Sequence, residues 1–187
     1  MKLPWENLHV ALGIGLVLAL IILIVSGHLG YLGDSTFWAM FFRWIHIFFG
    51  VLWIGLLYYF NFVQIPSMPK IPDEQKPAIS KVIAPSALFF FRWAAALTVL
   101  FGLIVMTYNK SWTNVPLSIG MALGLLMAYN VWFIIWPNQQ RALGLVEADA
   151  DTKKKSARMA MLTSRFNTML SIPMLYGMAS AHLPQSW

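Results

Sequence analysis

The sequence contains no cysteine. This absence excludes disulfide bonds, thiolate metal sites, iron–sulfur clusters and the C-x-x-C-H attachment of a c-type haem. Any metal or redox chemistry of the chain itself must therefore depend on its four histidines, its eleven methionines or its carboxylates.

Charged residues are also scarce, because they make up 11% of the 187 residues while hydrophobic residues make up 59%. Soluble domains carry about 25% charged residues. The composition therefore predicts an all-α integral membrane protein, built as a single domain over residues 1–187. The net charge of +6 does not indicate nucleic-acid binding, since the basic residues lie between apolar segments.

The apolar segments are long enough for about five transmembrane helices. Proline and charged residues after the second segment indicate a polar loop, and Pro137 is expected to end the fourth helix. Asp151 or Thr152 is expected to cap a helix that continues into the fifth segment, where Pro173 should introduce a kink. The predicted spans are residues 8–28, 36–62, 85–108, 115–136 and 163–183, with cytoplasmic loops at 64–84 and 137–162.

The basic residues predict the orientation of these spans. Only Arg43 and Lys110 lie at one side, whereas the remaining lysines and arginines lie at the side of the N-terminus and of the second and fourth loops. Because lysine and arginine accumulate on the cytoplasmic side, the N-terminus is predicted to be cytoplasmic and the C-terminus periplasmic.

Histidine and arginine in the second span indicate a cofactor site. On a helix, residues three and four apart share a face, so His46 lies on one stripe with Arg43, Gly50 and Trp53. Ionisable groups in hydrocarbon are costly and usually functional. A ligating nitrogen, a cation and a gap in the side-chain wall together suit a flat anionic cofactor such as haem.

The predicted topology brings three histidines to the periplasmic side on three helices. His46 and His182 are the preferred axial ligands of a b-type haem, His28 is the substitute, and Arg43 is the expected partner of a haem propionate. The alternative interpretation is that His28 and His182 are interfacial residues and that His46 only forms a hydrogen bond to a neighbouring carbonyl.

A second group of polar residues is expected at the cytoplasmic side. Amide and guanidinium donors suit a flat, polar, anionic small molecule, although side chains at helix ends also extend towards the membrane surface without binding anything. The candidate substrate-binding residues are Asn61, Gln64, Arg92, Asn130, Arg165 and Asn167.

Several ordered strings of uncommon residues resemble the membrane domain of bacterial urate hydroxylases, also called the urate oxidase N-terminal domain. The similarity covers about residues 37–182 and includes residues 91–93, which read FRW. The longest strings are RWIHIFFGVLWIGLLYYFNFVQ at 43–64, NVWFIIWPNQ at 130–139 and SRFNTMLSIPM at 164–174.

The resemblance implies a membrane oxidoreductase that oxidises urate towards 5-hydroxyisourate and passes electrons to a cytochrome c domain at its C-terminus. The resemblance also implies the bacterial inner membrane as the location. Because this sequence has no cysteine, we expect it to lack the cytochrome c domain. The expected electron acceptor is therefore a separate periplasmic cytochrome c or a terminal oxidase.

Two other functions compete with this one. The chain could be a haem-free accessory or structural subunit of a larger respiratory or oxygenase complex. A small transporter or channel is disfavoured, because the spans contain no acidic residue and the sequence shows no inverted repeat.

Overall fold

A computed structural model describes residues 3–109, 114–180 and 183 of the chain. Within these residues the regular structure is helical, with no strand, which confirms the predicted all-α class. The long helices are α1 (Leu8–Val25), α2 (Ser35–Lys70), α3 (Lys76–Tyr108), α4 (Val115–Ala142) and α5 (Ala150–Ala179). The first four are long and apolar enough to cross a membrane, as expected for a membrane protein.

The chain divides into two compact units, Met1–Phe41 and Phe42–Trp187. In the first unit, the side chain of Asn7 caps α1 by accepting a hydrogen bond from the amide of His9 at 2.9 Å. Gly27, with φ of +72°, ends this helix in the left-handed conformation that glycine adopts without strain. No residue of α1 is buried, and its apolar side chains are therefore available to lipid.

The core of the second unit lies between α2, α3 and α4. Trp53 and Leu57 of α2, Phe91 of α3, and Met127 and Val131 of α4 are almost completely buried. Burial of each such large apolar side chain contributes roughly 1.5–3 kcal/mol when the unburied reference is water. Helix α5 completes the unit by packing along α4.

Three helices continue past prolines at which the sequence predicted loops or helix ends. The expected loop at 64–84 is instead helical up to Lys70 and again from Lys76, and α4 continues through Pro137 to Ala142. In each case a π-helical turn ends just before the residue that precedes a proline: Tyr59–Gln64, Ile79–Ile83 and Asn130–Ile135.

The wider turns explain how the helices accommodate these prolines. A proline ring displaces the carbonyl four residues earlier and cannot donate a hydrogen bond. The preceding residue bonds five residues back instead, as when the amide of Trp136 donates to the carbonyl of Val131. The chain therefore stays helical on both sides of each proline.

The start of α5 also differs from the prediction. Its N-cap is Asp149, and not Asp151 or Thr152, because Asp149 accepts hydrogen bonds from the amide of Thr152 at 2.8 Å and from its hydroxyl at 2.7 Å. The helix then runs without interruption from Ala150 to Ala179 and contains Pro173.

Candidate functional site

His46 lies on the face of α2 that packs against α3. Its Nδ1 donates a hydrogen bond of 2.7 Å to the backbone carbonyl of Thr98. This contact is the one that the alternative interpretation of His46 expected. Because the carbonyl can only accept, the proton of the neutral ring is held on Nδ1, and Nε2 keeps its lone pair. Nε2 forms no hydrogen bond to a residue that the structure describes.

Close packing holds the His46 ring in place. A Cβ atom added to Gly102 would lie 2.9 Å from Cε1 and 3.0 Å from Nδ1 of His46, so only glycine leaves room for the ring. On either side, Phe42 and Phe49 of α2 stack on Phe101 with ring centroids 6.1 and 6.0 Å apart. The imidazole therefore has one orientation relative to α3.

The other predicted members of this stripe have different surroundings. A Cβ on Gly50 would lie 3.8 Å from Cγ2 of Thr98, so α3 covers this part of α2. Trp53 is only 2% exposed, and its indole Nε1 has no hydrogen-bond partner among the described residues. Arg43 is partly exposed. Because Thr98 of α3 lies against Gly50, a cofactor bound to His46 Nε2 would lie beside this contact and not between Gly50 and Thr98.

Neither of the other two candidate ligands is described within the second unit, where His46 lies. His28 is exposed at the start of a short 3-10 helix, His28–Tyr31, in the first unit. His182 lies outside the described residues. No group of three histidines or carboxylates suited to a metal ion occurs among the residues that the structure describes.

Asn130 and Asn167, two of the predicted substrate donors, bind each other. Asn130 Nδ2 donates to Asn167 Oδ1 at 2.8 Å, and Asn167 Nδ2 donates to the carbonyl of Met127 at 2.9 Å. Both side chains are buried. These bonds join α4 to α5 and are typical of polar residues that stabilise helix packing in membranes.

Asn61 and Gln64 on the π-helical turn of α2 retain unpaired atoms. Asn61 donates through Nδ2 to the carbonyl of Leu57 at 2.9 Å and to Ser164 Oγ at 2.8 Å. Asn61 Oδ1 and Gln64 Oε1 are buried acceptors without a partner among the described residues. Buried polar atoms of this kind call for an explanation, and a ligand is one.

Arg92 lies against an aromatic side chain that the sequence analysis did not assign to the site. Its guanidinium carbon is 3.7 Å from the ring centroid of Trp136, and the indole of Trp132 donates to the Arg92 carbonyl at 3.1 Å. The NH1 group of Arg92 is buried and unpaired within the described chain. Arg165, by contrast, is exposed. No spacing rule predicts the contact with Trp136, because Arg92 and Trp136 lie on different helices.

A cavity of about 250 Å³ lies at the end of the second unit where α2 and α4 finish. Its walls are mostly apolar and include Phe60, Leu88, Phe91 and Ile135. The polar side chains that line it are Gln64, Ser80, Gln139 and Ser164. Gln64 is thus the predicted site residue that lines this cavity.

The family model described as urate oxidase N-terminal matches residues 111–187. The matched segment contains α4 and α5, with Asn130, Arg165, Asn167 and His182, and leaves out His46. It confirms the predicted resemblance over less than half of the chain. No curated protein and no solved structure is significantly similar to the chain.

Proposed function

We propose that this protein, whose C-terminal helices are of the urate oxidase N-terminal type, is a b-haem-binding electron-transfer protein of the bacterial inner membrane. The observation that carries the proposal is that His46 Nδ1 donates a 2.7 Å hydrogen bond to the Thr98 carbonyl, while Nε2 has no hydrogen-bond partner among the described residues. Electrons would pass to a separate periplasmic cytochrome c or to a terminal oxidase.

The hydrogen bond supports this role because imidazoles that bind metals usually donate their other N–H to a carbonyl or carboxylate. It orients the ring and leaves Nε2 as the ligating atom. His182 is proposed as the second axial ligand, with His28 as its substitute, and Arg43 as the partner of a propionate. When bound between two imidazoles, haem supplies one-electron redox chemistry.

A redox difference spectrum of the purified protein tests the proposal. We expect a reduced b-type band that is lost in His46→Ala. The band should also be lost in His182→Ala if His182 is the second ligand, or in His28→Ala if His28 takes its place. Gly102→Ala should shift or weaken the band, because the new Cβ would displace the His46 ring.

The matched control is Gly55→Ala, because no atom lies within 4 Å of a Cβ built there. This variant should leave the spectrum unchanged. A colourless, well-folded protein would contradict haem binding and would favour the haem-free accessory subunit of a larger membrane complex.

The second candidate function is oxidation of urate or a similar purine. It is supported by Arg92, whose NH1 has no partner in the described part of the chain and whose contact with Trp136 places a positive charge beside a flat ring. A planar purine anion would be bound by the guanidinium beside Trp136, with Asn61 Oδ1 as a further polar partner. Asn130 and Asn167 would support the site by fixing α4 against α5.

Urate-dependent reduction of added cytochrome c tests this function. Activity should fall at least tenfold in Arg92→Gln, since the anion loses a charge-assisted hydrogen bond of roughly 1.5–3 kcal/mol. Arg165→Gln is the control, because Arg165 is exposed and should matter little. No reduction with any cytochrome, in a protein that shows the haem band, would eliminate the enzymatic function alone.

A further inference from the structure

The cavity near the ends of α2 and α4 has a lining without formal charge. Among the described residues around it, the polar groups are the amides of Gln64 and Gln139 and the hydroxyls of Ser80 and Ser164. Transferring an anion into such a site without a charged or metal partner is strongly unfavourable. The cavity therefore favours a neutral ligand, unlike the Arg92 region.

The apolar walls further restrict what can bind. Phe60 and Phe91 have their rings 5.6 Å apart in an edge-to-face arrangement, and Leu88 and Ile135 line the same space. Uric acid carries four N–H and three C=O groups, and its urate anion has one N–H fewer. Most of these groups would remain unsatisfied here, at about 1–3 kcal/mol for each buried group. A ring with only a few polar substituents fits better.

Two polar atoms in the cavity lining define the hydrogen bonds that such a ring must form. Gln64 Oε1 is a buried acceptor without a partner among the described residues, so a ligand that donates to it would satisfy it. Ser164 Oγ already accepts from Asn61 Nδ2 at 2.8 Å, which leaves its own hydroxyl hydrogen to donate. One ligand hydroxyl can satisfy the first atom, and a second ligand oxygen can accept from the other.

We infer that this cavity binds a neutral, largely apolar ring that carries hydroxyl groups, as in the headgroup of a hydroquinone. The cavity volume of about 250 Å³ accommodates one substituted six-membered ring. Such a ring could belong to a lipid-soluble quinol with an isoprenoid tail or to a small soluble phenol. This binding site is separate from the haem and purine functions proposed above.

The inference is tested by calorimetric titration of the purified protein in detergent. The two ligands titrated are decylubiquinol, which has an alkyl tail, and trimethylhydroquinone, which has none. Both should bind if the ring is the recognised part. Tighter binding of decylubiquinol identifies a lipid quinol as the ligand, whereas equal binding identifies a soluble phenol.

Two variants should weaken this binding. Gln64→Leu removes the acceptor and should raise Kd about tenfold, the equivalent of one hydrogen bond. Ala157→Trp places a large side chain at an exposed residue of the lining and should abolish binding without disturbing the core. Gln140→Leu is the matched control, because Gln140 is not among the residues that line the cavity.

Unchanged affinity in both Gln64→Leu and Ala157→Trp, with ligand-free unfolding temperatures like that of the wild type, would overturn the inference. Displacement of the quinol by urate at comparable concentration would also overturn it, because the cavity would then bind an anion. Neither result alters the haem spectrum, so failure here is distinguishable from failure of the proposed electron-transfer function.

Discussion

The side-chain amide of Asn167 is hydrogen-bonded at both its oxygen and its nitrogen. It accepts from Asn130 Nδ2 at 2.8 Å and donates to the Met127 carbonyl at 2.9 Å, while its side chain is fully buried. Its place in the polar group at the predicted cytoplasmic side made it a candidate substrate donor. The structure shows its side chain bonded to the neighbouring helix. Sequence alone cannot distinguish these roles, because both place an amide on a buried helix face.

Replacing Asn130 and Asn167 singly and together by leucine tests their coupling. We expect a favourable interaction energy of about 0.6–1.7 kcal/mol, as measured for hydrogen bonds between membrane helices. The free energy of unfolding in detergent provides the measurement, and Thr163→Ala is a control on the same helix. Additive effects of the two substitutions would contradict an interaction between the side chains.

The N-cap residue Asp149 should make the stability of the first turn of α5 depend on pH. Hydrogen bonds from the Thr152 hydroxyl and amide hold the pKa of this carboxyl below its ordinary value. A carboxyl whose pKa is lowered on folding stabilises the folded state above its unfolded pKa, which is about 3.9. That stabilisation is lost as the pH falls through the lower folded value.

Hydrogen exchange of the first-turn amides of α5 measures this effect. Asp149→Ala should increase exchange at neutral pH, and the difference from the wild type should shrink as the pH falls below about 4. Asp151→Ala is the control, because Asp151 does not cap the helix. Equal exchange in wild type and Asp149→Ala at neutral pH would show that the cap does not stabilise this turn.

At the scale of helices, α4 and α5 cross at glycines. A Cβ on Gly177 would lie 2.5 Å from the Pro116 carbonyl oxygen and 3.0 Å from Gly120 Cα. These are backbone atoms, which cannot move aside as a flexible side chain would. The spacing of Gly120 and Gly124 is typical of a helix-packing motif, and the contact of Gly120 with the backbone of α5 confirms this.

Gly177→Ala should therefore force α4 and α5 apart and destabilise the protein by about 1–3 kcal/mol. Gly124→Ala should be tolerated, because its nearest neighbour is the flexible Met174 side chain at 3.9 Å. Thermal unfolding of the two variants in the same detergent compares them directly. Equal unfolding temperatures would mean that the crossing adapts to the added methyl group.

At the scale of the whole molecule, the absence of cysteine makes the predicted orientation easy to test. A single cysteine can be introduced at Gly33, which is predicted to be periplasmic, or at Lys154, which is predicted to be cytoplasmic. Both positions are exposed.

In intact cells, a membrane-impermeant maleimide should label Gly33→Cys at once. It should label Lys154→Cys only after the membrane is permeabilised. The reverse pattern would show that the basic residues do not direct the orientation of this chain. It would also place the cavity near the ends of α2 and α4 on the periplasmic side.

The helical class and the number of long helices followed from the sequence alone. Apolar segments of 18 or more residues, such as Leu8–Val25, can satisfy their backbone hydrogen bonds in lipid only as helices. The absence of cysteine likewise excludes whole classes of cofactor site, however the helices pack. Helix ends were less predictable, since Pro66 and Pro137 indicate a break by local rules.

Only the tertiary structure decided which polar residues are satisfied and which are unpaired. His46 was identified from its own helix, but its bond to Thr98 and its fit against Gly102 depend on how α3 packs beside α2. The contact of Arg92 with Trp136 and the uncharged lining around Gln64 likewise join residues from separate helices. Helix periodicity specifies which face a side chain occupies, whereas its partner depends on the rotation and depth of the neighbouring helix.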